Sequence, residues 1–258
     1  MRGYGSDSYG EAFADVYDDW YAGVSPVEAT VARLAELAGA GPVLELGVGT
    51  GRLALPLAAT GVEVLGIDTS PAMLDRLRAK VDASDPAPGR VTGLLGDMAG
   101  DLPAGPFRLV FAAYNTLFNL RTVPEQEACF RAVAARLAPG GRFVVEAFVP
   151  DDPPRSGTSV DVRELADDRV VLSVARYDAA EQAADGQFVE LSGEGGVRLR
   201  PWSIRWATTE QLDAMAAAAG LVVEHRWSDW LGGAFTTESN HHVTVYVVPP
   251  RRAGSALG

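Results

Sequence analysis

Cysteine is almost missing from this 258-residue sequence: Cys129 stands alone. An intramolecular disulfide is therefore excluded, as is a zinc site built mainly on thiolates. Histidine is nearly as scarce. His225, His241 and His242 are the full set, which leaves few side chains able to change charge near neutral pH. No apolar run is long enough to span a bilayer, and the polar, glycine-rich residues Met1 to Ser8 do not read as a signal peptide. Positive charge is in deficit, with 34 acidic against 22 basic residues and a net charge of −12. That sign repels phosphate backbones and anionic lipid, so neither nucleic acid nor a membrane is expected as a partner. A cytoplasmic protein is the expectation.

Apolar residues make up 47% and charged residues 22% of the chain, a balance that suits a folded domain and excludes a disordered one. At this length one domain, 1–258, can bury a core without staples. Apolar runs at Val43–Leu46, Val62–Ile67, Val91–Leu95, Phe107–Ala113 and Phe143–Val149 alternate with helical patterns, the signature of an α/β fold with a parallel sheet. Ser25-Pro26-Val27-Glu28 reads as a capped helix start, and Ser70-Pro71 opens a second helix. A third begins near Thr122, carries Phe130, Val133 and Leu137 on one face, and stops at Pro139-Gly140-Gly141. Thr208 and Gln211 predict a capping box for a fourth. Between residues 151 and 205 the helical pattern gives way to short alternating runs, which predict antiparallel strands inserted after the fifth strand. Leu221–Trp227 and Val243–Val248 read as two last strands, and Pro249 to Gly258 as a loose tail.

The densest chemical signal is Glu45-Leu46-Gly47-Val48-Gly49-Thr50-Gly51-Arg52, with glycine at alternate positions between a strand and a helix. Glycine admits positive φ and lets a ligand approach the backbone closely. Asp68 sits at the tip of the next strand, where a carboxylate can accept both hydroxyls of a ribose. A dinucleotide fingerprint requires glycine where Arg52 stands, which argues against a nicotinamide-dependent oxidoreductase.

The spacing Gly47-x-Gly49-x-Gly51 behind an acid resembles that of class I S-adenosylmethionine (SAM) methyltransferases. The resemblance repeats at Asp68, at Gly96-Asp97-Met98 and at Tyr114-Asn115-Thr116, and covers roughly residues 25–150 and 205–248. It implies a Rossmann-like, seven-stranded, mostly parallel sheet with an antiparallel last strand and helices on both faces. It implies SAM as cofactor and S-adenosylhomocysteine as product. Cofactor contacts would come from Tyr17, Glu45, Gly47, Gly49, Gly51, Arg52, Asp68, Thr69, Met73, Gly96, Asp97, Met98 and Tyr114, with Asp68 on the ribose, Asp97 on the adenine amino group and Glu45 towards the ammonium. Residues 1–24, around Phe13 to Tyr21, are similar to the lid of small-molecule methyltransferases, among them amino-sugar N-methyltransferases of antibiotic pathways. The candidate acceptor contacts are Tyr21, Asn115, Phe118, Trp202 and Trp230. Candidate bases are His242 first, then His241 and Tyr17; adjacent histidines on a strand point opposite ways, so at most one faces the site. Core packing remains the other reading of the tryptophans, and backbone satisfaction that of Asn115.

The expected reaction is methyl transfer to nitrogen or oxygen of a small organic molecule. A SAM-binding, non-methylating enzyme of the same fold is the alternative. No metal constellation is visible. The expected state is a monomer or homodimer, with residues 151–205 as a cap or an oligomerisation segment.

Overall fold

The computed structural model describes residues 1–83, 89–193 and 195–249; the tail expected at Pro249 to Gly258 lies outside them apart from Pro249. Three helices precede the first strand: α1 (Ser8–Phe13), α2 (Tyr17–Tyr21) and α3 (Val27–Ala38). The α/β part follows as β1 (Val43–Leu46), α4 (Ala54–Ala58), β2 (Val64–Asp68), α5 (Pro71–Ala83), β3 (Val91–Leu95), β4 (Phe107–Ala112), a 3₁₀ turn (Thr116–Asn119), α6 (Val123–Ala134) and β5 (Leu137–Phe148). Then come β6 (Gly157–Leu165), β7 (Arg169–Asp178), β8 (Ala183–Ser192), β9 (Gly196–Arg205), α7 (Thr209–Ala218), β10 (Val222–Trp227) and β11 (His241–Val247).

The seven-stranded sheet has the order β10-β11-β5-β4-β1-β2-β3. β1 pairs in parallel with β2 and β4, and β5 with β4, whereas β11 runs antiparallel to both β5 and β10. The chain builds outward from β1 in one direction and from β4 in the other. The loops after β1 and β4 therefore diverge and leave a crevice at the carboxyl ends of the strands. Alternation along β4 sends Val110 and Ala112 into the core on one face of the sheet, and Leu109 and Phe111 into the core on the other. Burial on both faces explains the near-continuous apolar strands.

Several expected boundaries shift. Ser25 does not cap α3: Pro26 is the N-cap with no side-chain bond, and the Ser25 hydroxyl instead accepts from the Arg52 guanidinium at 2.7 Å, a stronger charge-assisted bond. Leu137 is not on the face of α6. That helix stops at Ala134, and Arg136 turns the chain into β5 by donating to the carbonyls of Leu102, Pro103 and Ala132. β2 begins at Val64 rather than Val62, and both His241 and His242 lie within β11 rather than before it. The capping box at Thr208/Gln211 forms as the sequence predicts, and the helix start near Thr122 turns out to carry a second one with Glu125.

Strands β6 to β9 form a separate antiparallel sheet. One of its faces holds the N-terminal segment. Phe188 of β8 packs edge-on against Phe13 and Trp20. Arg200 of β9, buried to 1% exposure, donates to both carboxylate oxygens of Asp15 at 2.6 and 3.0 Å, to Glu190 at 3.0 Å and to the Ala12 carbonyl. A buried cation with this many acceptors fixes the segment, because removing it takes from Asp15 and Glu190 the partner they share and leaves them only Arg198 and Arg169. Arg200→Met is expected to cost about 3 kcal/mol of unfolding free energy, read by urea denaturation, and to speed proteolytic cleavage before residue 25. Unchanged stability with unchanged cleavage would refute this role.

Candidate active site

The turn after β1 has Gly47, Gly49 and Gly51 at φ of +68°, +54° and +85°. A Cβ on Gly47 would lie 2.5 Å from the Thr116 methyl, and one on Gly51 2.5 Å from Leu77. Side chains are thus excluded by conformation and by space. The Asp68 carboxylate ties this turn to its surroundings: it accepts the Gly49 N–H at 2.8 Å on one oxygen and the Ser70 N–H at 2.9 Å on the other. Each oxygen keeps a further lone pair for a hydroxyl donor. Burial raises the Asp68 carboxyl above the ordinary range, opposed by these N–H bonds.

Glu45 lies beneath the turn, in the buried strand. One of its oxygens has no hydrogen-bond partner. Burial pushes its carboxyl up to about 8, with Arg52 pulling the other way. A buried, half-satisfied carboxylate of this kind is the chemistry a cation would complete.

The cleft above encloses about 680 Å³ of empty space, including the part open to solvent. Of the expected cofactor residues, Tyr17, Gly47, Gly49, Asp68, Thr69, Met73, Gly96, Asp97 and Met98 line it. Glu45, Gly51, Arg52 and Tyr114 do not, and Arg52 instead lies over the Tyr114 ring at 5.8 Å. Asp97 braces its own loop through the Ala99 N–H. Ser6, Tyr9, Thr116, Asn119 and Leu120 also line the cleft and were not foreseen. No pattern in the sequence marks Ser6 and Asn119, which arrive through tertiary contact.

The N-terminal segment closes over the turn. The Tyr17 ring lies 3.9 Å from where a Gly49 Cβ would sit and stacks on Tyr21, which meets Tyr114 edge-on. Asp18 accepts from Thr50 at 2.6 Å and from Lys80 at 2.7 Å, while Glu11 accepts from the Ser70 hydroxyl and the Ala72 N–H. Burial raises the Tyr17 phenol well above its ordinary value, so near neutral pH it is a donor.

The other expected site residues lie outside the cleft. Asn115 accepts the Phe148 N–H at 2.7 Å, and Phe118 packs edge-on against Phe148. The late tryptophans separate: Trp202 and Trp206 pack with the core on one face of the sheet, Trp227 and Trp230 with that on the other. His242 is 1% exposed, bonded through Nδ1 to Thr244, with Nε2 unpartnered; burial, with Arg226 nearby, holds it down at about 3. His241 points the opposite way. Its Nδ1 lies 3.2 Å from the Ser228 carbonyl and its Nε2 3.3 Å from Glu146. Glu146 also went unforeseen, although a carboxylate inside an apolar strand is the same signal that marked Glu45. Among the described residues, no cluster of His, Cys, Asp or Glu has the make-up to hold a metal.

A methyltransferase-domain profile matches residues 43–141, from β1 into the start of β5. The chain is 30% identical over 209 residues to a cypemycin N-terminal methyltransferase from a Streptomyces species, covering 79% of this chain and 81% of that one. The chain belongs to the SAM-dependent methyltransferases. The CcbJ methyltransferase of Streptomyces caelestis is 42% identical and superposes with a TM-score of 0.86, over 94% of this chain and 98% of that one. A SAM-bound amino pentose methyltransferase from Micromonospora echinaspora shares the fold at 24% identity, with a TM-score of 0.67 over 91% of this chain and 97% of that one.

The residues of this methyltransferase fit its cofactor: the Asp68 lone pairs suit a ribose, the side-chain-free turn suits close backbone approach, and the orphaned Glu45 oxygen suits an ammonium. Glu45 is protonated in good part below about 8, whereas a bound ammonium favours its anion. Binding SAM at pH 7 is therefore expected to release a proton, and affinity to rise with pH towards 8. Calorimetry in buffers of different ionisation enthalpy reads the release. Glu45→Gln is expected to abolish it and to weaken binding about tenfold; proton release persisting in that variant would refute the assignment.

Proposed function

We propose that this enzyme methylates an amine nitrogen of a small organic molecule, in the manner of antibiotic-pathway methyltransferases. The observation that carries this reading is the lack of an available side-chain base among the candidates. Tyr17 holds its proton. His242 is sealed into the core. His241 faces two acceptors, the Ser228 carbonyl and the Glu146 carboxylate, which engages both ring N–H groups and leaves no lone pair to take a proton. A hydroxyl acceptor has a proton to lose and needs a base; an uncharged amine attacks through its own lone pair and gives its proton to water afterwards. The cypemycin relative, named for methylation at an N-terminus, supports nitrogen.

The cofactor supplies an activated methyl on a sulfonium. The chain has to align and dehydrate: Tyr17, Tyr21 and the rest of residues 1–24 act as a lid over the glycine turn. We assign Asp97 and Met98, which line the cleft, to the adenine; Asn115, Phe118 and Trp202 lie outside that lining and are given no acceptor contact. Methyl-labelled SAM incubated with amine and hydroxyl acceptors tests the reading. Label is expected on nitrogen. Label on oxygen, or on protein, would overturn it, and SAM binding without any label would favour a non-methylating enzyme on the same fold. Among the described residues, no helix is long and apolar enough to cross a membrane; the cytoplasm is our proposal for the enzyme's location.

We also propose a homodimer through the outer face of the antiparallel sheet. Strand register aligns Val162-Leu172-Val189-Leu199 and Leu165-Val170-Leu191-Val197 into rows across all four strands. Val160, Val162, Leu165, Val197 and Leu199 are 56–78% exposed. An uncharged aliphatic patch on the order of 600 Å² approaches the roughly 800 Å² that each partner contributes to a standard interface. A second copy is the occupant that suits it, because stacked sheet faces are self-complementary and the chain's net charge of −12 is kept off this face. Light scattering is expected to report a dimer, and Val162→Asp with Leu199→Asp a folded monomer. A wild-type monomer at tens of micromolar would refute the interface.

A further inference from the structure

Two consecutive non-glycine residues, Tyr114 and Asn115, adopt left-handed conformations at φ +47° and +64° where β4 ends. Strained pairs persist only where their surroundings hold them. Here one residue does most of the holding. Glu146 of β5 accepts the Tyr114 N–H on its carboxylate at 2.7 Å and the Asn115 N–H on its backbone carbonyl at 3.0 Å. It is 2% exposed. Its second carboxylate oxygen meets His241 Nε2 at 3.3 Å, and the far nitrogen of that ring meets the Ser228 carbonyl. The next residue after the strained pair is Thr116, which lines the cofactor cleft, and the Tyr114 ring packs on Tyr21 of the N-terminal segment.

We propose that Glu146 is a positioning residue for methyl transfer: its carboxylate, held by the His241 imidazolium, sets the Tyr114–Asn115 turn against the lid and the cleft. Two acceptors flank the imidazole, so both ring nitrogens need protons. If one proton is lost, a ring lone pair faces either the carboxylate or the carbonyl. Burial by itself lowers the His241 value, but the hydrogen bond and charge of Glu146, with the Ser228 carbonyl and the Asp229 carboxylate from the loop after β10, carry it above the ordinary value for histidine. His242, its neighbour on β11, is uncharged and adds no competing cation near neutral pH. The group is therefore cationic below its raised value. The support it gives the turn is complete below about 6.5 and is lost as pH rises through that raised value.

This goes beyond the nitrogen-acceptor reading and does not depend on it, because half of the test needs no acceptor. The two conservative variants each replace the ion pair with a neutral one. In Glu146→Gln the amide donates to an uncharged imidazole and still accepts from Tyr114. In His241→Gln the amide donates to the carboxylate. The first measurement is the titration of His241 by NMR in SAM-bound enzyme, where Glu146→Gln is expected to bring its value from above 6.5 to below. The second is the pH profile of kcat for the methyl acceptor. Wild type is expected to show a fall at high pH that both glutamine variants lack, while their SAM affinity stays within about threefold. Glu146→Ala, which strands the Tyr114 N–H, is expected to lower kcat tenfold or more with SAM binding retained. A merely structural carboxylate predicts a change in thermal stability with no change in the shape of the profile. The proposal is overturned if the high-pH fall persists in both glutamine variants, if Glu146→Gln leaves the His241 titration where it was, or if folded Glu146→Ala turns over normally. Failure of the nitrogen reading has a different signature, label on another atom with all of these effects intact.

Discussion

The Asp68 carboxylate is the point through which the cofactor end of this enzyme is organised. It sits at the tip of β2 and spends one oxygen on the Gly49 N–H and the other on the Ser70 N–H. The first bond holds the glycine turn after β1 in its left-handed path, and the second starts α5. Ser70 in turn caps α5 through the Met73 N–H and donates to Glu11, so the same network reaches the N-terminal segment. Backbone donors that the turn would otherwise leave unmade are satisfied here. Buried groups of that kind cost more when unpaired than their bonds contribute when made.

The N-terminal segment is too short in its helices to be stable alone; α1 and α2 have six and five residues, below the length at which isolated helices persist. Two bodies hold it. The parallel sheet side offers Thr50, Lys80 and the start of α5, and the inserted antiparallel sheet offers Arg200, Arg198 and Phe188. The insertion therefore contributes to the cofactor cleft without lining it: it holds the segment that brings Tyr9 and Tyr17 into the cleft lining.

Electrostatics divides the two buried glutamates. Glu45 lacks a cation and is pushed towards neutrality by burial, whereas Glu146 is paired with a histidine and accepts a backbone N–H. In the proposed assignment the first takes its positive charge from the cofactor; the other has its positive charge within the fold. Both stand in strands that are otherwise apolar, and the difference between them lies in what the neighbouring strands place opposite.

The fold class and the glycine turn were legible in the sequence because they depend on local rules. Gly47, Gly49 and Gly51 follow a strand and Asp68 ends the next, and the parallel topology with short loops leaves those positions one place to meet. The capping box at Thr208 was equally local. Boundaries that depended on a distant partner were not legible: Ser25 was taken by Arg52, and α6 was cut short by Arg136 reaching carbonyls of another loop. The acceptor side was the least legible. Adjacent histidines necessarily point opposite ways, but only the pairing of β11 with β5 put His241 beside Glu146 and His242 in the core, and only folding separated the four late tryptophans onto two faces of the sheet. The sequence by itself determined the secondary structure, the parallel sheet and the cofactor turn, since spacing and backbone conformation are properties of a chain. Which charges are paired, which base candidates are disarmed and what closes the cleft were decided by the tertiary structure, since burial and partnership exist only between segments.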